Sequence, residues 1–295
     1  MFILDTFKNI LFKNEIIDLN IYSNVLVNVP DKFISKNKLT FDINLFTDIK
    51  KNILSIKNFI ENNYNLNINN NTPDNNIKLI ISLSGGVDSM VLSSILNSDY
   101  LIKELKKYNI YLNSILLIAI HINYNNREET QDEQKFIEDW CKINNIKLYT
   151  KIINEVKRGD INRADYEKIT RDIRYNFYKE ILDLENLDCI IFGHHKDDII
   201  ENIFANMCRG RSLLNLAAMS NEAIINNIKI FRPMLEINKN FIYKLADSQN
   251  IPYFKDSTPD WSVRGKFRQK IYPLLINTFG EQLDQNLLLL NEQSQ

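Results

Sequence analysis

The chain has 295 residues, 44% hydrophobic and 25% charged, with a formal net charge of −1; it is long enough for a sizeable core, and no sign imbalance announces nucleic acid or membrane. Three widely spaced cysteines, Cys141, Cys189 and Cys208, exclude a disulfide scaffold and a Cys-cluster metal site and fit a reducing compartment. No apolar run reaches the ~20 residues that span a bilayer, and the N-terminus lacks a targeting pattern, so a cytoplasmic protein without a membrane partner is expected.

Residues 1–76 contain no Gly, Arg, His or Cys and read as an N-terminal extension. Alternation over 21–29 predicts a strand, spacing over 44–60 predicts a helix, and the Asn-rich stretch around Pro73 predicts a linker. From residue 77 the pattern changes. Apolar runs predict strands at 77–83, 115–120, 146–153 and 188–192, separated by amphipathic helices at 87–96, 130–144, 164–184 and 198–208. That alternation implies right-handed crossovers and a doubly wound α/β fold with a parallel sheet over 77–235. Residues 236–295 are expected to form a mostly helical C-terminal segment.

Asn, Ile and Lys are over-used, whereas Gly numbers 7 and His 3. Positions where scarce residues persist are therefore informative. Gly85 and Gly86 stand in ISLSGGVDSMVL, at the end of a predicted strand and the start of a predicted helix. Two glycines permit close backbone approach, Ser84 and Ser89 add hydroxyl donors, and the amides of a first helical turn face any bound anion. Such a loop holds a phosphate chain without a cationic side chain. Asp88 would repel phosphates unless Mg²⁺ lies between them; the plainer reading is a strand-to-helix turn in which Asp88 complements the helix dipole. No GxxxxGK[ST] occurs, which disfavours a Walker loop.

His121 ends the second apolar run, with Arg127 six residues on, and reads either as a loop cap or as a site residue at the sheet's C-terminal edge. Glu167, Arg171 and Arg174 share helical spacing, as a surface ion-pair ladder or as part of a cleft. GHHKDDIIEN places Gly193, His194 and His195 just before Asp197, Asp198 and Glu201. Helix capping explains the carboxylates in part but not two of three histidines; no H-E-x-x-H metal pattern is present, and no metal cluster made by protein side chains alone is expected. Between Lys255 and Lys270 five basic residues face two acidic ones, a candidate contact for phosphate backbone, and Trp261 is either a base-stacking or a packing residue.

Ser84, Gly85, Gly86, Asp88 and Ser89, with Val87 at the variable position, match the SGGxDS loop. This resembles the pyrophosphate loop of the N-type ATP pyrophosphatases, the PP-loop family. HINYNNR, YEKITRDIRYNFY, GHHKDDIIEN, Arg209–Gly210–Arg211, FRPML and the Asp256, Arg264, Arg268 region follow in order and are similar to elements of the tRNA(Ile)-lysidine synthetases. The resemblance implies an ATP- and Mg²⁺-dependent ligase that adenylates a base oxygen of tRNA, releases pyrophosphate, and lets free lysine or another small amine displace AMP. It implies catalytic roles for Asp88, His194, Asp198, Glu201 and Arg232. Nucleotide contacts are implied for residues 84–89, His121, Arg174 and Gly193, and tRNA or substrate contacts for Arg127, Arg171, Arg209, Asp256, Arg264 and Arg268. Departures are Tyr124 for a second His, Ile199 and Asn202 for Gln and Thr, Gly265 for Asn, and the lack of an SN pair. The sequence stops at Gln295, and the additional C-terminal domains of many bacterial lysidine synthetases are not expected. A related tRNA thiolase and a non-catalytic nucleotide-binding regulator are the alternatives; oligomeric state stays open.

Overall fold

The computed structural model describes residues 26–27, 43–64, 75–212, 215–216, 219–255, 262–280 and 282–294. Asp256, Trp261, the Asn-rich stretch and most of the 21–29 segment lie outside them.

In chain order the elements are β1 (Leu26–Val27), α1 (Ile43–Asn63), β2 (Asn76–Ser82), α2 (Val87–Leu96), α3 (Asp99–Lys106), β3 (Ser114–Asn123), α4 (Thr130–Ile143), β4 (Lys147–Ile152), α5 (Arg163–Glu185), β5 (Cys189–Ile191) and α6 (Lys196–Cys208). Then come β6 (Glu222–Ile225), β7 (Ile228–Phe231), α7 (Lys239–Ser248), β8 (Tyr253–Phe254), α8 (Val263–Lys266), a π-helical turn over Phe267–Ile271, α9 (Tyr272–Phe279) and α10 (Gln282–Gln293).

The main sheet runs β4-β3-β2-β5-β7-β6. All neighbours are parallel except β6, which is antiparallel to β7. The doubly wound parallel sheet is thus found, with an antiparallel edge that periodicity did not reveal. The β6–β7 turn is Asn226–Asn227, both at positive φ (51° and 61°), as a two-residue hairpin of matching twist requires. The other non-glycine residues at positive φ among those described are also Asn, including Asn109, Asn145, Asn186 and Asn250 after helices. In this Gly-poor chain, Asn supplies the left-handed positions at helix ends and turns, because its short polar side chain tolerates them.

Alternation with period two sorts the sheet's side chains to two faces. Leu79, Ile81, Leu117 and Ala119 meet α1, α2, α4 and α7, whereas Ile80, Ile118 and Ile120 meet Tyr175, Tyr178, Ile181 and Leu182 of α5. From the N-terminal segment, Ile49, Ile53, Ile56, Phe59 and Ile60 of α1 are buried in the first cluster, and Phe59 stacks on Phe231 at 4.1 Å. Each buried side chain of this size contributes ~1.5–3 kcal/mol, so α1 is part of the core. A third cluster joins Ile199, Ile200 and Ile203 of α6 to Phe267 and Leu287, which docks the C-terminal helices onto α6.

The strand order reverses between β2 and β5, which are neighbours through Ile81 and Ile191. Their C-terminal ends diverge into the 83–86 and 192–195 connections. Ligands of open α/β sheets bind at such a switch point.

Candidate functional site

The first connection is held by its own hydroxyls. The amide of Ser84 donates to Ser89 Oγ at 3.2 Å, Ser84 Oγ lies 3.1 Å from Ser89 Oγ, and Ser89 Oγ donates to the Gly86 carbonyl at 3.0 Å. The chain therefore curls over the first turn of α2, where backbone amides lack intrahelical partners. Gly85 sits at φ +83°, and a Cβ there would overlap the Phe254 ring; the Phe254 amide donates to the Gly85 carbonyl at 2.8 Å. Strand β8 thus clamps the loop from outside. Gly193, from the second connection, lies so near α2 that a Cβ would stand 3.1 Å from the Asp88 carbonyl carbon and 3.2 Å from the Ser89 nitrogen.

Above the loop opens a cleft of about 640 Å³. Its described lining carries eight Lys or Arg against the carboxylates of Asp88 and Asp198, so a chain of net charge −1 concentrates positive potential here. Arg174 donates to the Tyr124 hydroxyl at 3.1 Å, and its Nε is buried without a hydrogen-bond partner. Arg171 and Arg174 cover the Tyr175 ring at 4.9 and 5.5 Å. Tyr124, a departure from the family pattern, is therefore the residue that holds Arg174. Arg232 is 3% exposed; its Nε donates to His194 Nδ1 at 3.2 Å and its Nη1 to the Ser220 carbonyl at 2.8 Å. Accepting at Nδ1 requires an imidazole unprotonated there, in agreement with burial pushing His194 down to about 4.

The carboxylates at the start of α6 form a second layer. The His195 amide donates to Asp198 Oδ2 at 3.1 Å, and the buried His195 ring lies 3.4 to 3.6 Å from Asp197, Asp198 and Asp88. Asp197 accepts the Lys239 amide at 2.6 Å, while Lys239 Nζ stands 2.6 Å from both oxygens of Asp88. Burial works against charge on Asp198, yet His195, His194 and Arg264 outweigh it and hold its carboxyl below the ordinary value.

Asp198 and Glu201 are engaged by Arg264 and Arg268, which the sequence assigned to RNA. Arg268 contacts Glu201 at 2.9 Å and Asp198 at 3.2 Å, and Arg264 Nε donates to Glu201 Oε1. His121 is not in the cleft lining: it is 4% exposed, and its Nδ1 lies 2.9 Å from the Leu83 carbonyl, behind the loop. Arg127 reaches the cleft while pairing with Glu133 at 2.5 Å. Arg209 opens instead on an adjoining groove of about 1210 Å³ that shares Arg171 and Arg264 with the cleft and includes Arg158 and Arg163.

The residues present fit a nucleotide polyphosphate. Two glycines give close approach, the hydroxyl-tied loop faces the cleft, and a buried guanidinium atom lacks a partner. Among the described residues no group of three His, Cys, Asp or Glu could hold a metal. Mg²⁺ needs only one or two carboxylates when phosphates and water complete its shell, and Asp88 supplies one.

Lys239 and Phe254 escaped the sequence, being common residue types in this chain. The one available signal was the position of Lys239 at the first turn of a helix capped by Asn238, whose Oδ1 accepts the Phe241 amide at 2.9 Å.

The family model of the PP-loop domain matches residues 55–275, which include every described residue named above except those of β1 and the start of α1 and the end of the chain. The chain is 29% identical over 218 residues to a tRNA(Ile)-lysidine synthase of Chlamydia caviae, covering 73% of this chain and 63% of that protein. It is 30% identical over 222 residues to the one of Mesoplasma florum, covering 73% and 51%. This chain thus matches about half to two-thirds of the length of these relatives. Among solved structures, a U34-tRNA thiolase of Methanococcus maripaludis with its [4Fe–4S] cluster superposes with TM-score 0.58 at 19% identity, over 84% of this chain and 80% of that one, a likeness of fold. On the extent of the family match, the chain belongs to the PP-loop domain family.

Proposed function

We propose that the chain is the catalytic unit of an ATP-dependent tRNA-modifying ligase, and specifically that it joins lysine to the wobble cytidine of the isoleucine tRNA with anticodon CAU. The observation that carries this is the hydroxyl-tied SGGVDS loop facing Arg174 and Arg232 across one cleft, together with the names of the curated relatives. In this reading residues 77–235 bind the nucleotide, and residues 236–295 help bind RNA.

The loop amides and hydroxyls of residues 84–89 hold the β- and γ-phosphates, and Gly193 keeps the neighbouring connection close. Asp88 is the residue that would hold Mg²⁺, which would supply charge neutralisation for the departing pyrophosphate. Arg174 and Arg232 stabilise charge on the α-phosphate, a task suited to a planar fork of donors. A base oxygen of the RNA attacks the α-phosphorus as the bond to the β-phosphate breaks. The amine nitrogen then attacks the activated ring carbon, loses a proton, and AMP departs with the oxygen. Asp198 and Glu201 orient that amine once Arg264 and Arg268 turn toward RNA. Arg127, Arg171, Arg209 and Asp256 complete the RNA contacts, with His121 buttressing the loop. Neutral His194 keeps Arg232 aimed.

A thiolase needs reactive thiolates; burial pushes Cys141 and Cys189 up to about 12, which disfavours that role for them, and Cys208 is the one exposed cysteine. The test is Mg²⁺-dependent exchange of labelled pyrophosphate into ATP. Exchange that requires tRNA supports the ligase. ATP binding without exchange, with every tRNA tried, favours the regulator and overturns this reading.

A further inference from the structure

We infer that Lys239 is a positioning residue that holds Asp88 in the place of the divalent cation while the cleft has no nucleotide, and passes to the polyphosphate when metal and nucleotide enter. The inference rests on the nucleotide reading of the cleft.

Asp88 lies in the first turn of α2, where the helix dipole already favours a negative charge. Lys239 Nζ nevertheless sits 2.6 Å from both of its oxygens, straddling the carboxylate as a bound cation does. Both side chains are partly open to the cleft, 22% and 27% exposed, and both line it.

The base of Lys239 is fixed. Its amide donates to Asp197, and Asn238 caps the same helix turn. Only the flexible four-carbon stem can move, sliding its ammonium over the Tyr243 ring that it already covers at 5.2 Å. Tyr243 also lines the cleft. The exchange leaves each charged group with an opposite partner at each stage. Ammonium neutralises Asp88 at first; then Mg²⁺ takes the carboxylate, and the released ammonium meets phosphate oxygens. The arrangement makes Lys239 and a free divalent ion competitors for Asp88, but makes Lys239 and the nucleotide partners.

That opposition is the test, run on the full chain with Mn²⁺ alone by electron paramagnetic resonance and with ATP in EDTA by calorimetry. Lys239→Met is expected to bind Mn²⁺ about tenfold more tightly than the unmodified protein and metal-free ATP about tenfold more weakly, the scale of one charge-assisted contact. Asp88→Asn is expected to do the reverse on both readouts, and Lys239→Arg to keep metal-free ATP binding. If Lys239→Met is folded and moves neither affinity, the pair is structural and the inference falls. Should Lys239→Met fail to fold, Asp88→Asn decides alone: unchanged or weaker metal-free ATP binding overturns the inference. If the unmodified protein binds no ATP with or without metal, the nucleotide reading falls, while the Mn²⁺ measurement still reports the competition for Asp88.

Discussion

Replacing Gly85 by Ala asks whether the phosphate loop and strand β8 form one mechanical unit. Gly85 is at φ +83°, and the Phe254 ring fills the space a Cβ would take. A left-handed backbone costs an L residue roughly 1–2 kcal/mol, and forcing a methyl into a packed contact costs typically ~1–3 kcal/mol more. Gly85→Ala should therefore lose about 2–5 kcal/mol of stability, within reach of the ~5–15 kcal/mol of an ordinary domain. Phe254 is 7% exposed and meets Phe136 edge-on at 5.6 Å, so Phe254→Ala alone should lose ~3–5 kcal/mol. In the double variant the overlap vanishes and only the backbone strain of the alanine remains. The two losses should thus fall short of additivity by about 1–3 kcal/mol. Urea unfolding of the four proteins measures this cycle. Coupling below ~0.5 kcal/mol would mean that the loop and β8 are mechanically independent.

His194 is pushed from 6.5 to about 4 by burial, whereas the unfolded chain binds the proton at the ordinary value. Its contribution, of the order of 3 kcal/mol, is therefore complete above 6.5 and is lost as pH falls toward 4; urea midpoints of His194→Asn should show a shallower acid slope than the unmodified chain. Glu201 is 10% exposed and Arg268 36%, so a Glu201→Gln, Arg268→Gln stability cycle should give a coupling of about 0.5–2 kcal/mol after solvent screening, and zero coupling contradicts the pairing. Arg174→Lys should keep the fold while weakening ATP binding by about tenfold, because an ammonium lacks the guanidinium fork. Calorimetry in parallel with thermal melts separates those two effects.

What was legible in the sequence had a local cause. The strand over 76–82 and the helix over 87–96 show their periods within a dozen residues, and Gly85 and Gly86 stand out because glycine is scarce. The β6–β7 hairpin had the opposite fate: its Asn226–Asn227 turn uses the residue this chain spends everywhere, so the signal drowned. Charges were visible but their partners were not. Arg264 and Arg268 read as a basic patch, yet they fold back onto Glu201, 63 and 67 positions earlier. Lys239 and Asp88 are 151 positions apart, and nothing in periodicity joins them; only the sheet's switch point does.

The product of the proposed reaction is a lysine-bearing cytidine in tRNA. Nucleoside mass spectrometry of RNA from cells with and without this protein tests it directly. The prediction is one cytidine derivative, heavier by a lysine less one water, that disappears with the protein and returns with the unmodified chain but not with Asp88→Ala. An identical nucleoside spectrum in both cell types would contradict the claim.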